Sequence, residues 1–99
     1  MDIRTSRTGD HALVVVAGEL DADTSPSLDV EFATLGSAGA RAVTVDLADV
    51  TFLGSSGLTA LLTGHRSFET FHLLQGNRIV DRLITMTGLE MLYGVAETP

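Results

Sequence analysis

Two adjacent hydroxyls, Ser55 and Ser56, stand between Gly54 and Gly57 at the start of a segment in which Leu58, Leu61, Leu62, His65 and Phe68 recur at helical spacing. That pattern predicts a helix beginning near Ser56. The first turn of a helix holds four N–H groups with no internal partner and the positive end of the macrodipole. A phosphate carried on Ser55 or Ser56 would be held there at little internal cost. The flanking glycines lack side-chain bulk and leave the backbone open to close approach by another molecule. The same residues also fit a plain helix cap, because serine is among the commonest N-cap residues. Spacing alone does not separate the two.

Catalysis has less support. A hydrolase nucleophile elbow reads G-x-S-x-G, whereas here two serines stand between the glycines. A nucleophile also needs an oriented base. His65 belongs to the apolar stripe of its own helix, and His72 falls in a strand-like run. The absence of lysine excludes a phosphate-binding P-loop. His11, His65 and His72 lack the close spacing of a metal pair, so no metal site and no cofactor are expected. A second polar group, Glu19, Asp21 and Asp23 followed by Thr24, reads first as a solvated loop whose acids favour the helix behind it. Its sharper reading is a recognition rim. If the crossovers are parallel, this loop and the Gly54–Gly57 turn share one edge of the sheet, the edge where open α/β folds carry function.

Composition narrows the partners. The 99 residues carry 13 acids against six arginines, and the acids concentrate in the first half. Binding to nucleic acid draws on basic patches, which this chain lacks. Anionic membranes are disfavoured for the same reason, and no apolar run approaches the ~18 residues of a membrane helix. The charge points instead to a partner with a basic or apolar face. Zero cysteines exclude disulfides and thiolate chemistry. The opening Met1-Asp2-Ile3-Arg4-Thr5 has no apolar signal region and reads as the start of a cytoplasmic chain. The length suits one domain, residues 1–99.

The positioning elements follow from punctuation and periodicity. A short first segment, Ile3 to Arg7, leads to a turn at Gly9-Asp10. Ala12 to Ala17 is a continuous apolar run and predicts a strand covered on both faces or centrally placed, ended by Gly18-Glu19-Leu20-Asp21. Thr24 or Ser25 caps a helix with Pro26 in its first turn and Leu28, Phe32 and Leu35 on its inner stripe; Gly36 to Gly39 stops it. Ala42 to Leu47 is a second buried strand, followed by an acidic turn. Phe71 to Leu74 is a third. Asn77 caps a last helix with Ile79, Val80, Leu83 and Ile84 inward, Asp81 and Arg82 outward, and Gly88 at its left-handed end. Leu92 to Val95 forms a closing short element. Alternating strands and helices define an α/β fold with a mainly parallel sheet.

Gly18-Glu19-Leu20-Asp21 with Thr24, then Val45 to Leu53, then Ser55-Ser56-Gly57-Leu58, and finally Thr87-Gly88-Leu89, together resemble a STAS domain of the stand-alone anti-sigma factor antagonist class. The resemblance covers nearly the whole chain. It implies a STAS-like α/β fold, a small, mainly parallel mixed sheet of four to five strands packed against three to four helices, and no enzymatic activity. It also implies partner switching in the cytoplasm. The unphosphorylated protein binds an anti-sigma factor, itself a serine kinase, and so frees a sigma factor. Phosphorylation of one serine ends the binding, and a phosphatase resets it. The family's acceptor, the first Ser of Asp-Ser-Ser-Gly, maps onto Ser55. The expected contact surface is Glu19, Asp21, Asp23, Thr24, Gly54, Ser55, Ser56, Gly57 and Leu58, on a monomer or weak dimer.

Two departures stand out. The family's Asp before the acceptor is Gly54 here. Between His65 and Leu89 the chain is about four residues shorter than the family pattern, which compresses the Ser67–Phe71 junction. Gly54 raises an alternative: a STAS subunit of a larger transport or stress-signalling assembly that is never phosphorylated. A nucleotide or small-anion sensor using the helix N-terminus is the remaining reading. Ser56 as cap with Ser55 exposed is the expected division of the two hydroxyls.

Overall fold

Apolar and β-branched residues dominate Ala12–Ala17 and Ala42–Leu47, and both runs lie within strands of the computed structural model, which describes residues 1–74 and 76–93. The element order is β1 (Asp2–Thr8), β2 (His11–Leu20), α1 (Ser25–Ser37), β3 (Ala42–Leu53), α2 (Ser55–Ser67), β4 (Thr70–Leu73), α3 (Arg78–Met86) and a 3-10 turn at Glu90–Tyr93. The strands stand in the order β1-β2-β3-β4. β1 is antiparallel to β2, while β2–β3 and β3–β4 are parallel. The α/β reading and the mixed, mainly parallel sheet hold. Of the predicted Leu92–Val95 element, Leu92 and Tyr93 lie in the 3-10 turn and the remainder lies outside the described residues.

The central strands are not covered equally on both faces. Ala12, Val14 and Val16 of β2 are fully buried, whereas Leu13, Val15 and Ala17 are half-buried. Val43, Val45, Phe71 and Leu73 continue the buried face. Phe32 of α1 packs edge-on against Phe71 on that face, at 5.6 Å between ring centroids. A continuous apolar run does not reveal one-sided cover, because apolar residues also occupy open faces.

β3 is twice as long as the predicted run, and the expected acidic turn at 48–51 is strand. Its register against β2 slips between Val15 and Ala17 and again between Gly18 and Glu19, so β3 carries extra residues at both places. Burial there falls on Leu47, Val50 and Leu53, a spacing of three that hides the strand from a period-two pattern. Gly18, with φ of +96°, supplies the left-handed backbone beside the second slip.

β4 pairs only with Ala42 to Val45, which leaves the later part of β3 as an edge. Asn77 covers it. Its side-chain amide donates to the Ala48 and Val50 carbonyls at 3.2 and 2.6 Å, and its carbonyl accepts from Val80 N–H at 3.0 Å as the cap of α3. Asn77→Ala removes a cap and two strand contacts, and a loss of about 2–3 kcal/mol is expected in thermal or urea unfolding. Asn77→Asp keeps the cap acceptor but cannot donate, so it isolates the two carbonyl bonds.

Two expectations for α3 are corrected. Ile79 is 62% exposed, and the inward residues are Val80 and Ile84 with Leu83 half-buried. Asp81 does not face solvent freely. Its carboxylate accepts from the Tyr93 hydroxyl at 2.6 Å and from Gly76 N–H at 3.0 Å, tying the 3-10 turn to the start of α3. The Ser67–Phe71 junction is indeed tight, with Phe68 and Glu69 alone linking α2 to β4.

Candidate functional site at the carboxyl edge of the sheet

β2 and β3 run parallel and end together, with Glu19 beside Phe52 and Leu20 beside Leu53. Gly54 N–H donates to the Leu20 carbonyl at 3.0 Å. The acidic loop after β2 and the start of α2 are thereby brought to one edge, as the parallel crossovers require.

Gly54 is the N-cap of α2, in extended backbone, and no side chain caps this helix. Ser55 is therefore the first helical residue and Ser56 the second. Ser55 is exposed and Ser56 half-buried. The expected division is half corrected: Ser55 is the exposed hydroxyl, but Ser56 is not the cap. The Gly54 carbonyl accepts from Leu58 N–H at 3.0 Å and closes the first turn, leaving the amides of Ser55, Ser56 and Gly57 at the electropositive helix end.

The two glycines do different work from the open approach that sequence suggests. A Cβ on Gly57 would stand 2.7 Å from Leu53 Cδ1, 2.8 Å from the Leu20 carbonyl oxygen and 2.9 Å from Leu20 Cγ. The space it leaves is filled by the protein's own residues and lets α2 sit directly on the strand ends. A Cβ on Gly54 would meet the Phe52 ring at 3.1 Å. That ring is 49% exposed beside the serines. Of the apolar pair Phe52-Leu53 that leads into the serines, only Leu53 turns inward. Leu58 is half-buried at the rim of the core.

The acidic loop is locked by its own hydrogen bonds. Asp21 Oδ1 accepts from the N–H groups of Asp23 and Thr24, each at 3.0 Å. The Thr24 hydroxyl accepts from Asp21 N–H at 2.9 Å and shares its proton between the Glu19 carbonyl at 2.7 Å and Asp21 Oδ1 at 3.0 Å. Thr24 is the N-cap position of α1, but its side chain is spent on this loop rather than on the helix. Asp23 and Glu19 are exposed.

The Thr24 hydroxyl and then the Thr24 amide hold the Asp21 carboxyl below its ordinary value of 3.8; burial opposes them, and the Asp23 amide adds a smaller lowering. A lowered carboxyl pKa lends stability that is fully present above the unfolded value and is lost as pH falls through the folded one. The Asp23 and Thr24 amides are therefore expected to stay protected at neutral pH and to lose protection only below about pH 3.8. Nuclear magnetic resonance of those amides during acid titration checks this.

No group of three metal-ligating side chains occurs among the described residues. No described helix is long and apolar enough to cross a membrane. His65 packs edge-on to Phe71 at 6.1 Å between ring centroids, a core contact. His11 Nε2 lies 3.1 Å from the Thr44 hydroxyl on the sheet.

A four-stranded mixed sheet with three helices and an exposed serine at the tip of the middle one defines a small α/β domain. Residues 3–94 match the family model described as "Mlab, STAS domain", and the chain belongs to the STAS domain family. The anti-sigma-B factor antagonist of Staphylococcus epidermidis is 31% identical over 102 residues, covering 98% of this chain and 94% of that protein. Among solved structures, an anti-sigma factor antagonist from Mycobacterium paratuberculosis superimposes with a TM-score of 0.85 at 26% identity, over 98% of this chain and 86% of that one. The anti-sigma factor antagonist SpoIIAA in its unphosphorylated form shares the fold, with a TM-score of 0.82 at 20% identity over 97% of this chain and 89% of that one.

Proposed function

We propose that this protein is an anti-sigma factor antagonist that acts by docking rather than by catalysis, with Ser55 as its switch. In the cytoplasm, its unphosphorylated form binds an anti-sigma factor of the serine kinase type through the carboxyl edge of the sheet and so releases a sigma factor. The contact surface is Glu19, Asp21, Asp23 and Thr24 with Gly54 to Leu58, on a single-domain protein that is a monomer or weak dimer. The kinase transfers the γ-phosphoryl of ATP to Ser55 Oγ, the hydroxyl proton leaves, and ADP is the second product. A phosphatase reverses the change.

The observation that carries this reading is Ser55 itself: an exposed hydroxyl on the first residue of α2, beside helix amides that can hold an anion. The full-length likeness to a protein named as an anti-sigma-B factor antagonist supports the partner class. Incubation with ATP and the serine-kinase anti-sigma factors of the same genome, followed by intact mass measurement, tests it. One added phosphate that disappears in Ser55→Ala supports the assignment; retention in Ser55→Ala and loss in Ser56→Ala moves the acceptor by one residue. Gly54 favours a second reading, a STAS interaction subunit that is never phosphorylated. No phosphate from any such kinase, with stable co-purification in a larger assembly, selects it.

A further inference from the structure

Of the five Phe and Tyr residues in the chain, Phe52 alone is exposed. Phe32, Phe68 and Phe71 are buried, and Tyr93 is half-buried with its hydroxyl on Asp81. One exposed apolar side chain is ordinary in itself. What sets Phe52 apart is where its ring is held. Phe52 stands beside Glu19 in the β2–β3 register, two residues before the start of α2. A Cβ on Gly54 would lie 3.1 Å from Phe52 Cε2 and 3.5 Å from Cζ. Gly54 is the N-cap of α2, the position where a Ser, Thr, Asp or Asn side chain ordinarily caps a helix. Any such side chain leaves the backbone through that Cβ and contends with the ring for its space. With glycine at the cap the ring has the space, against the residue that precedes Ser55.

Geometry also decides what covers the ring. Ser55 is three residues from Phe52, so their Cα atoms are at most about 11 Å apart. A stable protein interface takes roughly 800 Å² from each partner, a patch of roughly 16 Å radius. A patch of that size centred on Ser55 includes Phe52. Aromatic side chains are enriched in the buried centre of such patches, because one ring removes a large apolar area from water.

We infer that Phe52 is the apolar anchor for the docked anti-sigma factor, received by an apolar pocket of that partner, and that Gly54 is the positioning residue that keeps the ring at the tip of α2. This role rests on the docking function proposed above and adds to it an anchor outside the acidic loop.

Titration calorimetry of the full chain against the serine-kinase anti-sigma factors of the same genome tests it. Phe52→Ala is expected to weaken binding about tenfold or more. Phe52→Leu, which keeps the position apolar, should lose about threefold and carries the test if alanine unfolds the chain. Met86→Ala, at the other end of α3 from its cap and 71% exposed, should bind as wild type does. Gly54→Ala should weaken binding about threefold or more when Phe52 is present and have no such effect when residue 52 is already alanine. With the chain as kinase substrate, Phe52→Ala should raise KM and leave kcat unchanged, the mark of a contact made equally before and during phosphoryl transfer. Wild-type affinity in the Phe52 variants, or an equal loss in Met86→Ala, would overturn the anchor. Additive effects of Gly54→Ala and Phe52→Ala would overturn the positioning role of Gly54. A dimer of the chain that Phe52→Ala dissolves would assign the ring to a second copy and overturn the partner. Undiminished binding by Phe52→Ala alongside binding that Ser55→Asp abolishes rejects the anchor alone. A wild-type chain that binds none of these anti-sigma factors rejects the proposed function, and the anchor with it.

Discussion

Ser55→Asp is expected to weaken binding to the anti-sigma factor by more than tenfold, or ~1.4 kcal/mol, while leaving the fold intact. The two effects separate because they arise in different places. In the free protein, the new carboxylate sits on the first residue of α2, where an acid gains about 0.3–1 kcal/mol from the helix end. The Tm should therefore hold or rise by about 1–5 °C. In the complex, a kinase that phosphorylates Ser55 must bring the γ-phosphate of its ATP to this hydroxyl. A negative group already on Ser55 then faces another negative group in a water-poor interface, where it is costly to desolvate. Titration calorimetry against the anti-sigma factor, paired with thermal unfolding, reads both quantities. Equal affinity of Ser55→Asp and wild type would remove the switch. A collapse of Tm would mean that the charge acts by unfolding rather than at the interface.

Gly57→Ala and Gly64→Ala should each destabilise the protein by about 1–3 kcal/mol, although alanine is the better helix former. At Gly57 the added methyl would lie 2.8 Å from a backbone oxygen of β2, so relief requires moving α2 off the strand ends. At Gly64 it would lie 2.7 Å from the rings of Phe32 and Phe71, which are fixed against each other in the core. Gly57→Ala carries the additional expectation of weaker anti-sigma factor binding, because the shift displaces Ser55; Gly64→Ala should affect stability alone. Gly36→Ala provides the control of opposite sign. Its Cβ would touch Phe68 only at 4.0 Å, and a gain of about 0.5–1 kcal/mol is expected from helix propensity. Urea unfolding of the three variants checks sign and size. Stabilisation by Gly57→Ala would show that α2 is not seated directly on β2.

The elements were largely readable because local chemistry decided them. The Pro26 helix start, the Leu28, Phe32 and Leu35 stripe, the Asn77 cap and Gly88 at φ of +73° all depend on residues within a turn or two. The errors fall where a distant partner intervenes. β3 looked like a strand and an acidic turn because its slips against β2 break the two-residue period. Asp81 looked solvated because its partner, Tyr93, is twelve residues away. Gly57 looked open because nothing local reveals that Leu20 and Leu53 fill its space.

Periodicity and capping residues, properties of neighbouring positions along the chain, were enough to define an α/β domain with two hydroxyls at a helix start. Which residue caps that helix was decided in three dimensions. Gly54 takes the cap position, its N–H held by the Leu20 carbonyl, with Ser55 exposed and Ser56 half-buried after it. Local pattern expected Ser55 on the surface; that Gly54 rather than Ser56 takes the cap goes with a hydrogen bond between segments more than thirty residues apart, which no local pattern reveals.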